Sequence, residues 1–103
     1  MSDKSTVMEI KEHVRITETD PYGIAHHSSY AVWAEMGLRA LLAWKGYKQY
    51  ELASFDCKYL KSAKVGDEIL IRVTADQGKG DGVFRFVILR GNTVLAQGSM
   101  RLR

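Results

Sequence analysis

The sequence predicts an α+β domain in which one helix lies against an antiparallel sheet. A single long segment, Tyr30 to Trp44, repeats its apolar residues at helical spacing, whereas the chain on either side alternates with a period of two. Turn signals rich in glycine separate the alternating segments at short intervals, as antiparallel neighbours require. With 103 residues, 46% hydrophobic and 26% charged, the chain has material for one core and one domain spanning residues 1–103.

From Val7 the residues alternate. Met8, Ile10, Val14 and Ile16 fall to one side and Glu9, Lys11, His13 and Arg15 to the other, with Glu12 interrupting the apolar set, so a half-buried strand is expected. The strand delivers the chain to Thr-Asp-Pro-Tyr-Gly-Ile-Ala-His-His-Ser-Ser-Tyr, residues 19–30. Asp20-Pro21 and Gly23 impose a tight bend, because proline fixes its own φ, restricts the residue before it, and glycine accepts torsions that other residues avoid. Ser28 and Ser29 are the N-cap candidates for a central helix over about residues 28–45. Tyr30, Trp33, Gly37, Ala40, Leu41 and Trp44 share one face of it, and both tryptophans are expected in the core. Val32, Met36, Leu38 and Leu42 carry the apolar surface most of the way round, so the helix has to be wrapped. Glu35 and Arg39 can pair on the remaining polar strip, and Lys45 with Gly46 supplies the terminal charge and the break. At ~1.5 Å of rise per residue the rod is about 25 Å long. It is too short and too charged for a membrane span, which needs roughly 20 apolar residues.

Ala53, Phe55, Cys57 and Tyr59 alternate against Ser54, Asp56 and Lys58 as a second strand. Val65-Gly66-Asp67 is a turn signal, and Ile69, Ile71, Val73 and Ala75 form a third strand after it. The run Gly78-Lys79-Gly80-Asp81-Gly82 is read as a hairpin connection, since it lacks the lysine-serine ending of a phosphate loop and the helix such a loop opens. Val83 to Arg90 makes a fourth strand, Gly91-Asn92 turns, and Thr93 to Leu102 makes a fifth. The short turns imply that successive strands are neighbours. One sheet cannot cover a helix that is apolar nearly all round, so a homodimer is expected.

A net charge of +3 favours anionic ligands such as phosphates, and no basic block with interleaved aromatics marks a nucleic-acid platform. The opening Met-Ser-Asp-Lys-Ser-Thr has no apolar core for export and the single cysteine cannot form an internal disulfide, so a cytoplasmic location is expected. Asp20 stands just before a helix N-terminus, where free amides and the helix dipole favour negative charge. Each candidate also has a plainer reading. Asp20 can be a turn-forming residue, His27 can satisfy a hydrogen bond at the helix start, and His13 can be a solvent-side strand residue. Asp20, His26 and His27 offer three metal ligands, but adjacent residues diverge and no fourth ligand stands at a familiar spacing, so no metal is expected. Cys57 as a nucleophile needs a nearby base, and its alternating position points to burial.

The Thr-Asp-Pro-Tyr-Gly-Ile bend, His-His-Ser-Ser-Tyr, the helix with Trp33, Glu35 and Arg39, and then Asp56-Cys57-Lys58-Tyr59-Leu60-Lys61 with Val65-Gly66-Asp67 form a pattern. From about Val14 onward it resembles the hotdog-fold acyl-CoA thioesterases of the 4-hydroxybenzoyl-CoA thioesterase type, including the Tol-Pal-associated branch. The resemblance implies a curved five-stranded antiparallel sheet wrapped around the helix, assembled as a homodimer or homotetramer. It places Asp20 on the catalytic carboxylate, as nucleophile or general base, and His27 on the position whose main-chain amide polarises the thioester carbonyl. Tyr22, Gly23, His26 and Tyr30 then line the substrate pocket, while Tyr59 and Lys61 border the coenzyme A channel. Coenzyme A is part of the substrate, and no separate cofactor is implied. Lys58, Lys61, Lys64 and Arg72 are either a solvated surface or a border for coenzyme A phosphates. The chain is shorter than typical members of that family, and Ser62-Ala63 stands where many have proline. The resemblance also leaves open a thioesterase acting on carrier-protein-bound acyl or polyketide chains and a non-catalytic acyl-CoA binding module. A hotdog hydratase or dehydratase needs a histidine-aspartate pair in a motif that is not found here.

Overall fold

The computed structural model describes residues 7–76, 78 and 82–103. Strand β1 (Val7–His13) is followed by a 3-10 turn (Ile16–Glu18), helix α1 (His27–Trp44) and strands β2 (Leu52–Tyr59), β3 (Glu68–Ala75), β4 (Val83–Arg90) and β5 (Thr93–Leu102). The strands form one sheet in the order β1-β3-β4-β5-β2, antiparallel throughout. All five strands read from the sequence are present. The Gly78 to Gly82 connection lies partly outside the described residues. Its flanks pair as neighbours, with Ala75 opposite Phe84 and the Asp76 amide donating to the Val83 carbonyl at 2.8 Å.

One expectation about connectivity fails. β2 and β3 follow each other after a short link, yet they are not neighbours: β2 pairs with β5 at one edge and β3 pairs with β1 near the other. The link from Leu60 to Asp67 is a crossover that passes the N-terminal end of α1, with Ala63 fully buried. Tyr30 holds it there, its hydroxyl accepting from the Ala63 amide at 2.8 Å.

The concave face of the sheet packs on α1. Trp33, Leu38, Leu41 and Leu42 meet Ile71, Val73, Phe86, Ile88, Leu95 and Met100, all of them buried in one cluster. Gly37 lets the helix lie close to β3, because a Cβ there would stand 2.7 Å from Val73 Cγ2 and 3.0 Å from Ile71 Cγ2. The glycine sacrifices about 1 kcal/mol of helix propensity relative to alanine. Overpacking two branched, immobile side chains costs typically 1–3 kcal/mol, so close approach wins. At the far end Gly46 has φ +95 and its amide donates to Ala43, while the Tyr47 amide donates to Leu42, closing α1 in a Schellman motif. The Glu35–Arg39 pair forms at 3.5 Å.

Two apolar residues are not where periodicity puts them. Ile16 is 75% exposed, because the chain leaves the strand after buried Val14 and coils into the 3-10 turn. Trp44 shares the stripe of Trp33 but is 71% exposed. Spacing says which side of a helix a residue occupies, not how far the sheet extends beneath it. The helix also starts at His27, with His26 as its N-cap and no side-chain cap, so neither Ser28 nor Ser29 plays that part.

Asp67 ties the crossover to the sheet. One carboxylate oxygen accepts from the Lys64 amide at 2.9 Å and from Arg90 at 2.8 Å, and Arg90 also donates to the Ser62 carbonyl at 3.1 Å. Burial alone would raise the Asp67 pKa, but the Lys64 amide and the Arg90 guanidinium outweigh it and hold the carboxyl below the usual range. A carboxyl depressed in the folded state stabilises the fold above its unfolded pKa, about 4, and that contribution is lost as pH falls through the folded value. Asp67→Asn is therefore expected to lower stability at pH 7 and to flatten the acid limb below about pH 4, read from urea midpoints between pH 2 and 7. An unchanged acid limb would assign acid sensitivity elsewhere.

Candidate active site

The bend is made by Asp20 itself. Its amide donates to the Ile24 carbonyl at 2.9 Å and its carbonyl accepts from the Gly23 amide at 2.9 Å. Its side-chain Oδ1 accepts from the amides of Tyr22 at 2.8 Å and Ile24 at 3.0 Å. The turn-forming reading of this aspartate is thus correct as far as Oδ1 goes. Oδ2 has no hydrogen-bond partner among the described residues, and the carboxylate is held with that oxygen free. Gly23 adopts φ +78, and a Cβ there would come within 3.2 Å of Val65 Cγ1. The outer limb of the bend pairs with the crossover: the Ala25 amide donates to Ala63 at 2.9 Å and the Val65 amide to Gly23 at 2.8 Å.

Glu18 anchors the start of α1 without capping its first-turn amides. Its carbonyl accepts from the His26 amide at 3.0 Å and from the Ser29 hydroxyl at 2.9 Å. Its carboxylate accepts from the Trp33 indole at 3.0 Å. Nothing local marks Glu18 for this task, since it reaches α1 through the turn. The amides of His27 and Ser28, in the first helical turn, have no acceptor among the described residues. They form the free, partly positive tip that a developing oxyanion requires.

The aromatic residues collect beside that tip. The His27 ring stacks on Tyr59 with centroids 3.8 Å apart and planes 6° from parallel, and Tyr30 meets Tyr59 edge-on at 5.4 Å. Burial first, and then Cys57, push the Tyr59 phenol above its ordinary pKa. Burial likewise raises the Cys57 thiol, keeping it protonated and a poor nucleophile.

Two cavities flank the bend. One, about 330 Å³, is lined by His27, Tyr30, Tyr59 and Lys61 together with Ile24 and Leu60. The other, about 570 Å³, is lined by Asp20, Tyr22 and Gly23 together with Ile16, Pro21 and Val65. Seven of the eight residues singled out in the sequence line one or the other. His26 lines neither, and its side chain is exposed. The carboxylate and the helix tip therefore belong to different cavities, Gly23 lining one and Ile24 the other. Ile16, Ile24, Leu60 and Val65 were not singled out, and only their position after folding places them here. A larger hollow of about 640 Å³ lies toward the other end of α1, where Glu35 accepts from Tyr50 at 2.9 Å and is already engaged. Arg72 pairs with Glu9 at 2.6 Å across β1 and β3, which makes it a surface residue of the sheet. Among the described residues no three His, Cys, Asp or Glu side chains stand together as a metal site, and no helix is long and apolar enough to cross a membrane.

The sequence matches no family model and no curated protein. The fold does have counterparts among solved structures. A probable thioesterase from Bartonella henselae is similar at TM-score 0.83 and 16% identity, over 94% of this chain and 88% of that one. A DHNA-CoA thioesterase from Staphylococcus aureus is similar at 0.81 and 18%, over 93% and 72%. A 1,4-dihydroxy-2-naphthoyl-CoA thioesterase from Synechocystis is similar at 0.78 and 13%, over 94% and 80%. At these identities the likeness establishes architecture: the chain has the hotdog fold, a curved five-stranded antiparallel sheet around one central helix.

Proposed function

We propose that the chain is a thioester hydrolase that converts an acyl-CoA and water to a carboxylic acid and free coenzyme A. The observation that carries this reading is the Asp20 carboxylate, one oxygen fixed by two amides and the other free, on a bend pinned next to a helix tip with unpaired amides. The names of the solved structures with the same fold support it.

Hydrolysis requires attack on a carbonyl carbon and stabilisation of the negative charge that forms on its oxygen. In the reading proposed, Oδ2 of Asp20 accepts a proton from water as the water oxygen bonds to the carbonyl carbon. The His27 amide donates to the carbonyl oxygen as charge develops there. Collapse breaks the carbon–sulfur bond, and the sulfur departs with the proton that Asp20 took. Alternatively Oδ2 bonds to the carbonyl carbon itself, the carbon–sulfur bond breaks and the thiolate leaves, and water then cleaves the resulting anhydride, releasing the acid, restoring the Asp20 carboxylate and supplying the proton that the thiolate takes. Tyr22 and Gly23 shape the acid's side of the site, and Tyr30, Tyr59 and Lys61 shape the side of the helix tip, with Lys61 as a partner for coenzyme A phosphate. His26 sits at the surface beside them as N-cap, available to the mouth of the pocket.

A second reading, a non-catalytic acyl-CoA binding module, is favoured by one observation: Oδ1 of Asp20 already serves the turn. Turnover separates the two. Asp20→Asn is expected to reduce kcat for thiol release by about 10²–10⁴-fold while the affinity for coenzyme A changes by less than about twofold. Rates like those of the unmodified chain would remove the mechanism, and binding without any thiol release would favour the module.

The assembly proposed is a homodimer or a homotetramer. β2 is an edge strand with one side unpaired, and Val32 and Trp44 leave the outer surface of α1 apolar, at 56% and 71% exposure. Tyr59, at the end of β2, lines the helix-tip cavity, so the site is expected to be completed by a second copy. Specific activity should fall as the protein is diluted through the dissociation midpoint measured by sedimentation. Full activity in the dissociated monomer would contradict shared construction of the site.

A further inference from the structure

The cavity lined by Gly23 and the cavity lined by Ile24 differ in chemistry. Around the Asp20 cavity the side chains of Ile16, Tyr22 and Val65 are 75%, 87% and 47% exposed, an apolar rim left open to water. No lysine or arginine lines that cavity, and Asp20 is its one charged residue. The helix-tip cavity contains Lys61, which has no carboxylate within ion-pair distance among the described residues, and adjoins the unpaired amides of His27 and Ser28.

On the hydrolase reading the carbonyl carbon lies between Asp20 and the His27 amide, where Gly23 of one cavity adjoins Ile24 of the other, and its two substituents enter one cavity each. Charge decides which goes where. A phosphate-bearing group is attracted by Lys61 and the helix tip and repelled by Asp20, while an uncharged hydrocarbon gains from covering Ile16 and Val65.

Resting on the hydrolase reading above, we infer that the acyl half of the substrate is apolar and uncharged and docks on the rim of Ile16, Tyr22 and Val65. Ile16 and Val65 are therefore specificity-determining residues, although neither touches the reacting atoms. Gly23 keeps the floor low between them, since a side chain there would press on Val65. An acyl group ending in a carboxylate is disfavoured by Asp20.

The inference is tested by calorimetric titration with two non-hydrolysable thioethers, S-ethyl-coenzyme A and S-dodecyl-coenzyme A. The unmodified chain should bind the dodecyl compound at least about tenfold more tightly. The double variant Ile16→Ser with Val65→Ser should lose that preference to within about twofold. Both residues are exposed, so the fold is not at risk, and Val7→Ser, 44% exposed on β1, is the control that should keep the preference. Sedimentation of the double variant should give an unchanged particle. A double variant that retains the preference, or an unmodified chain that shows none, overturns the inference. So does dissociation of the double variant, because the rim would then be covered by a second copy. Retained preference in the unmodified chain, lost in the double variant, with no thiol release from acyl-CoA, sinks the hydrolase reading alone.

Discussion

The pairing between the Asp20 bend and the β2–β3 crossover is the constraint on which the rest depends. A bend of this size has no core of its own, and two backbone hydrogen bonds, Ala25 to Ala63 and Val65 to Gly23, make it part of the sheet's framework. The crossover in turn is held from below by Tyr30 and from the side by Asp67 with Arg90. Loss of either anchor leaves a buried amide or a charged side chain without its partner, and unsatisfied buried groups cost about 1–3 kcal/mol. The carboxylate is therefore positioned by residues more than forty places away in sequence, and its precision is a property of the whole fold.

The helix contributes in two ways that pull against each other. Its middle must be buried closely, which Gly37 permits against Val73 and Ile71. Its first turn leaves the His27 and Ser28 amides without an acceptor among the described residues. Glu18 reconciles these demands by bonding His26, Ser29 and Trp33, so α1 is anchored at its start while the tip stays open.

The strands were legible because their signal is local. β-branched residues alternating on β3, the buried Phe84, Phe86 and Ile88 alternating on β4 and a Gly-Asn turn after Arg90 leave little freedom in element type or boundary. Ile16 and Trp44 were misread because periodicity ranks faces without knowing where the chain turns or the sheet ends. The β2–β3 crossover was misread as a turn between neighbours, since a short link carries no sign of the strand it must pass. The bend, the carboxylate and the helix start were all visible as a cluster. The stack of His27 on Tyr59, the rim formed by Ile16 and Val65, and the separation of the site into two cavities were not, because each joins segments that meet only in three dimensions.

The mechanism proposed holds one carbonyl group between the Asp20 carboxylate and the His27 amide. It is tested most directly by amide chemical shifts of the isotopically labelled protein titrated with a trifluoromethyl ketone thioether of coenzyme A, whose hydrate mimics the tetrahedral oxyanion. The largest shifts are expected at the His27 and Ser28 amides, followed by Tyr22 and Ile24, which bond Asp20. Shifts concentrated instead around Glu35 and Tyr50, in the hollow toward the other end of the helix, with His27 unmoved, would contradict it.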